Sequence, residues 1–60
     1  MKTMFFFGNK KPGSDMYEFI KEYPFPLYPI GPVAVDDCCY RIAEIVTCLD
    51  DNCIYIYLDN

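Results

Sequence analysis

The sequence predicts an α+β domain: a small antiparallel sheet, one principal helix packed on it, and a second, short helix. Three observations lead there. Cys53 to Leu58 alternates strictly, with Ile54, Ile56 and Leu58 on one side and Cys53, Tyr55 and Tyr57 on the other, as a half-buried strand does. Asp36 to Leu49 places Cys39, Ile42, Val46 and Leu49 on one helical stripe, with Cys38 and Ile45 at its margin and Asp37, Arg41, Glu44 and Cys48 opposite. Lys2 to Phe7, rich in aromatics and ended by Gly8, reads as a further strand. The 60 residues suffice for a single domain.

The remaining elements follow in chain order. Gly8 to Ser14 contains Asn9, Pro12 and Gly13 and reads as a loop. Asp15 to Tyr23 is expected to be the short helix, because Met16, Phe19, Ile20 and Tyr23 fall at i, i+3, i+4 and i+7 while Asp15, Glu18, Lys21 and Glu22 face away. Ser14 is a suitable N-cap and Pro24 a stop. Two turns are marginal in isolation, so a strand over the same residues is the competing reading. Pro24, Pro26, Pro29 and Pro32 make the next stretch extended, compatible with an edge strand near Leu27 to Ile30 but not a central one. Asp36 then caps the principal helix, Asp36 and Asp37 suit the positive end of its dipole, and Asp50-Asp51-Asn52 ends it, Asn52 tolerating a left-handed turn.

Composition narrows the function classes. A chain this short buries roughly 60% of the surface it exposes when unfolded, which makes a marginal core. Yet 53% of its residues are hydrophobic and 18% aromatic, more apolar material than one small core can hide. That surplus points to an interface. The net charge of −4 leaves only Lys2, Lys10, Lys11, Lys21 and Arg41 as cations, in no stripe, so direct contact with nucleic acid or an anionic membrane is not expected. An acidic surface suits a basic protein partner such as a nuclease, and it also keeps a sticky small protein soluble. Phe5-Phe6-Phe7 is too short for a secretory signal core and is followed by Gly8-Asn9-Lys10-Lys11; no stretch approaches the ~20 apolar residues of a membrane span. The expected setting is the cytoplasm, a host's if the source is viral, with all four cysteines as free thiols and no disulfide required for folding.

Several residue groups bear on chemistry. The cysteines, Cys38-Cys39, Cys48 and Cys53, lack the paired spacing of a zinc site, and no histidine completes one. Burial as small apolar side chains is favoured over a metal site or a redox dithiol, with Cys48 turned outward by the helical projection. Without histidine the commonest general base is missing. The acidic pairs Asp36-Asp37 and Asp50-Asp51 would sit at opposite ends of a helix about 20 Å long. Gly8, Gly13 and Gly31 match no phosphate-binding loop. No enzyme and no cofactor is expected. Pro26, Pro29 and Pro32 repeat every three residues, as in ligands of SH3-type domains, but carry no flanking cation. A packed connector is the favoured reading.

The tyrosines carry the functional expectation. Tyr55 and Tyr57 face away from the isoleucine side of the last strand, so the short helix covers them or they form an exposed aromatic patch. Met4 and Phe6, or Phe5 and Phe7, must share that side. The leading expectation is a protein-binding inhibitor or adaptor anchored by Tyr55, Tyr57 and Tyr28, with acidic rim residues steering a basic target. The helix face of Arg41, Glu44 and Cys48 is the next candidate surface. The runner-up is a structural subunit or homodimer burying the same patch, and the third class is a thiol or metal module.

The layout also resembles the small antitoxins of T-even bacteriophages, inhibitors of bacterial RNase toxins. The likeness lies in an apolar first strand, in Leu49-Asp50-Asp51 closing the main helix, and in a terminal strand beginning near Cys53. It implies an inhibitor acting by contact. The proline-rich segment from Pro24 to Pro32 departs from that layout, and no site residue is carried across.

Overall fold

In the computed structural model, residues 1–8 and 17–59 are described. They form five strands and no helix: β1 (Lys2–Gly8), β2 (Tyr17–Tyr23), β3 (Val33–Val35), β4 (Cys38–Cys48) and β5 (Cys53–Asp59). The strands make one sheet in the order β2-β1-β5-β4-β3. Neighbours are antiparallel except β1 and β5, which run parallel. The expected α+β class is therefore replaced by an all-β half-barrel, and the expected antiparallel sheet by a mixed one. The loop expected from Gly8 to Ser14 lies outside the described residues apart from Gly8, which ends β1, as do Ser14, Asp15 and Met16.

The principal helix expected over Asp36 to Leu49 is strand β4. Ile42, Ile45, Val46 and Thr47 are β-branched and Tyr40 is aromatic, so local preference favours a pleated strand. Of the expected stripe of Cys39, Ile42, Val46 and Leu49 only Ile42 packs on the core, Val46 facing the other side beside Tyr55. A bulge between Ile42 and Glu44 breaks the strand's alternation. It inserts one extra residue, so Ile42 and Ile45 both reach the core although they are three apart. The short helix expected over Asp15 to Tyr23 is likewise strand β2, the competing reading, again with a register shift, where Phe5 faces Lys21 and Phe6 faces Phe19. Ile20 and Tyr23 thereby share the core side at helical spacing.

The turns use the acidic residues differently from the expected caps. Asp36 and Asp37 have φ of 50° and 67° and form a two-residue hairpin turn between Val35 and Cys38. Positive φ at both central residues marks the type I′ geometry that matches strand twist. Asn52, at φ 55°, does adopt the left-handed conformation expected of it, as the last residue before β5 rather than after a helix.

Phe5, Val35, Ile54, Ile56 and Leu58 form the buried core on the concave side, with Ile20, Tyr23, Leu27, Val33, Tyr40, Ile42 and Ile45 packed around it. The segment from Pro24 to Pro32 links the two outer strands and so must cross this side from edge to edge. It is the packed connector the prolines suggest, and no strand forms at Leu27 to Ile30. Thr3, wholly buried in β1, pins it: the hydroxyl donates to the Phe25 carbonyl at 2.9 Å and accepts from the Leu27 N–H at 2.8 Å. Gly31 turns the chain toward β3 at φ 81°, where an L side chain would be strained.

Curvature is visible in two contacts. The rings of Phe7 and Tyr40 meet at 5.1 Å across β5. Lys21 on β2 reaches Asp36 beyond β3 at 3.0 Å, although four interstrand steps would span about 19 Å in a flat sheet.

Candidate protein-binding face

The convex side of the sheet is built by alternation. In β5, Ile54, Ile56 and Leu58 are buried, so Tyr55 and Tyr57 project the other way. Parallel pairing sets Met4 beside Tyr55 and Phe6 beside Tyr57, which selects Met4 and Phe6, not Phe5 and Phe7, for this side. Beyond β1, Phe19 lies beside Phe6 and Tyr17 beside Gly8.

These rings form a connected array with Phe6 at its centre. Phe6 stacks on Tyr57 at 5.4 Å and 24°, and meets Tyr55 at 5.9 Å and Phe19 at 5.9 Å. Tyr17 and Tyr57 meet edge to face at 4.8 Å. The rings hold one another in place, so little side-chain freedom remains to be lost on binding. Phe19 is 52% exposed and Val46, beside Tyr55, 37%. Because β2 is a strand, no helix among the described residues covers the array.

Three further expected residues join it. In β4, Glu44 pairs with Tyr57, Cys48 with Cys53, and Arg41 with Asp59, so all three border the tyrosines on the same side. The Arg41 guanidinium lies 3.8 Å from the Asp59 carboxylate. What the sequence offered as two alternative surfaces is one continuous face. Tyr28 is not part of it. It sits on the proline-rich strap, 60% exposed, with its hydroxyl 3.7 Å from the Met1 sulfur. There it borders a separate open cleft of about 320 Å³ on the concave side, lined by Phe5, Tyr23, Leu27 and Val33.

The sequence alone offers Phe6 only as one of two alternatives and does not point to Phe19, Tyr17 or Val46 as face residues. The pairing of β1 with β5 decides for Phe6, which the unbroken apolar run Met4 to Phe7 leaves open; Phe19 and Val46 are hidden by spacing that fits a helix. Burial raises the Tyr55 hydroxyl above the usual phenol range, with the Cys53 and Asp51 charges adding to it. Each tyrosine of this face offers an apolar body with a polar tip.

The four cysteines do not converge. Cys38 and Cys39 begin β4 and Cys48 ends it, roughly 30 Å along an extended strand. Among the described residues no group of three or more His, Cys, Asp or Glu could hold a metal ion. The sequence matches no family model, no curated protein and no solved structure. The helix in the resemblance to phage antitoxins is strand β4, with Leu49, Asp50 and Asp51 in a β turn.

Proposed function

We propose that this protein acts without chemistry, as a stoichiometric inhibitor or adaptor that lays its convex aromatic face on another protein. The observation that carries this reading is the Phe6-centred array of Tyr17, Phe19, Tyr55 and Tyr57 on the side of the sheet opposite the core. Aromatic clusters of this kind supply the anchors of protein interfaces, whereas rim charges mainly set orientation and association rate. Glu44 and the carboxylate of Asp59 flank the array, and the whole chain carries −4, so the partner is a protein with a basic rim, a nuclease being one such class. Replacing Tyr55 and Tyr57 together by Ser is expected to leave a folded β protein and weaken capture of the partner from host extract more than tenfold, about 1.4 kcal/mol. A folded double variant that captures the same partner equally well overturns the proposal.

A second reading, a self-associating subunit, is favoured by the edge of β4. β3 pairs only with Cys38, Cys39 and Tyr40, and from Ile42 to Cys48 the outer edge has no strand partner among the described residues. Such an edge is complementary to a copy of itself. Sedimentation across concentration separates the two: a monomer supports the adaptor, a dimer disrupted by Val46→Lys supports the subunit.

A further inference from the structure

The geometry points to a modification site at the open end of the β4–β5 hairpin: we propose that Cys48 and Cys53 form a reversible disulfide by exchange with a small disulfide of the glutathione type. The two residues are direct partners in the antiparallel ladder. Facing residues in such a ladder have Cα atoms about 4.5–5.5 Å apart, inside the range of about 4.4–6.8 Å that a disulfide spans. Their side chains project to the same face. Asp51 gathers both thiols: Cys48 Sγ donates to its carboxylate Oδ2 at 3.4 Å, and Cys53 Sγ donates to its backbone carbonyl at 3.3 Å. No other pair of cysteines is so placed. Cys38 faces Val35 and Cys39 faces Ala34, and adjacent residues of one strand point to opposite faces.

The two thiols differ in access, which orders the steps. Cys48 is half-buried and Cys53 buried. The Cys48 thiolate attacks one sulfur of oxidised glutathione, forming a mixed disulfide and releasing one glutathione thiolate. The Cys53 thiolate then attacks Cys48 Sγ and displaces the second glutathione. Two protein thiols are oxidised, one glutathione disulfide is reduced to two thiols, and two protons leave the protein. The bridge encloses only Leu49 to Asn52. Long-loop bridges restrict the unfolded chain far more, so this one adds little permanence and reduced glutathione reopens it. Val46 and Tyr55, the next pair on the same face, place it beside the aromatic array, although the proposal stands without that array's function.

The test treats folded wild-type protein with oxidised glutathione, blocks remaining thiols with iodoacetamide, and maps the products by mass after cleavage at Asp50 and Asp51. The expected product has lost two hydrogens, keeps Cys38 and Cys39 alkylated, and holds its two halves together through Cys48 and Cys53. Cys53→Ala is expected to stop at a stable glutathione adduct on Cys48, and Cys48→Ala to leave Cys53 unmodified in the folded chain. Adducts confined to Cys38 or Cys39, with Cys48 and Cys53 fully alkylated, overturn the proposal. That wild-type mapping decides the matter even if a variant fails to fold.

Discussion

At the scale of single residues, Thr3 joins sequence to architecture. Its methyl lies in the core of β1 while its hydroxyl satisfies two backbone groups of the strap, a carbonyl and an N–H. Valine has the same shape without the hydroxyl. Thr3→Val therefore leaves Phe25 O and Leu27 N without that partner, and is expected to cost about 2–3 kcal/mol, because an orphaned polar group costs about 1–3 kcal/mol. Chemical denaturation of the variant measures it, and an unchanged midpoint would show that water replaces the hydroxyl. The aspartates teach a different lesson at this scale. Asp36, Asp37 and Asn52 were legible as chain-reversing residues, but the same side-chain chemistry serves helix caps and left-handed turns alike. Only the pairing of Val35 with Cys38 decides for a hairpin.

At the scale of elements, β5 was readable from its strict alternation, β1 from its aromatic residues and closing Gly8, and the strap because four prolines leave it no alternative. β4 and β2 were not, since each contains a register shift that breaks period two. In β4 the extra residue lies at Ala43, skipped between the Ile42–Leu58 and Glu44–Tyr57 pairs. Deleting Ala43 distinguishes strand from helix by experiment. In a strand the deletion makes the alternation regular, with Tyr40, Ile42 and Ile45 still inward and Arg41 and Glu44 still outward. In a helix it would rotate every later side chain by about 100°. The expected outcome is a cooperatively folding β protein with a melting temperature lowered by several degrees, the loss of local twist costing about 1 kcal/mol. A chain left without a cooperative transition would contradict it.

At the scale of the whole molecule, the core is small because the sheet buries one side only. The apolar surplus of the composition is divided between the other side, with Phe19 and Val46, and the strap and last turn, with Phe25, Tyr28, Ile30 and Leu49. The curl that closes the core side brings Lys21 of β2 to Asp36 at the far edge, while Tyr40 lies within β4 and Tyr55 within β5. All three titrate above their ordinary values. The hydrogen bond and charge of Asp36 raise Lys21; burial, then the neighbouring Cys38, raises Tyr40; burial, then Cys53, raises Tyr55. A group with a raised folded-state pKa holds its proton more tightly in the folded chain, so above about pH 10 the unfolded chain binds fewer protons and stability falls. Their contribution is complete below that value and disappears as pH rises through the folded pKa values. Thermal melts are therefore expected to show no loss from these groups between pH 7 and 9 and a steep loss above about pH 10. Lys21→Met removes the cross-sheet contact, so the variant should melt lower at neutral pH and approach the wild type in the alkaline range. Parallel curves, with the same difference at pH 7 and above pH 11, would show that Lys21 supports the fold through its aliphatic stem rather than through Asp36.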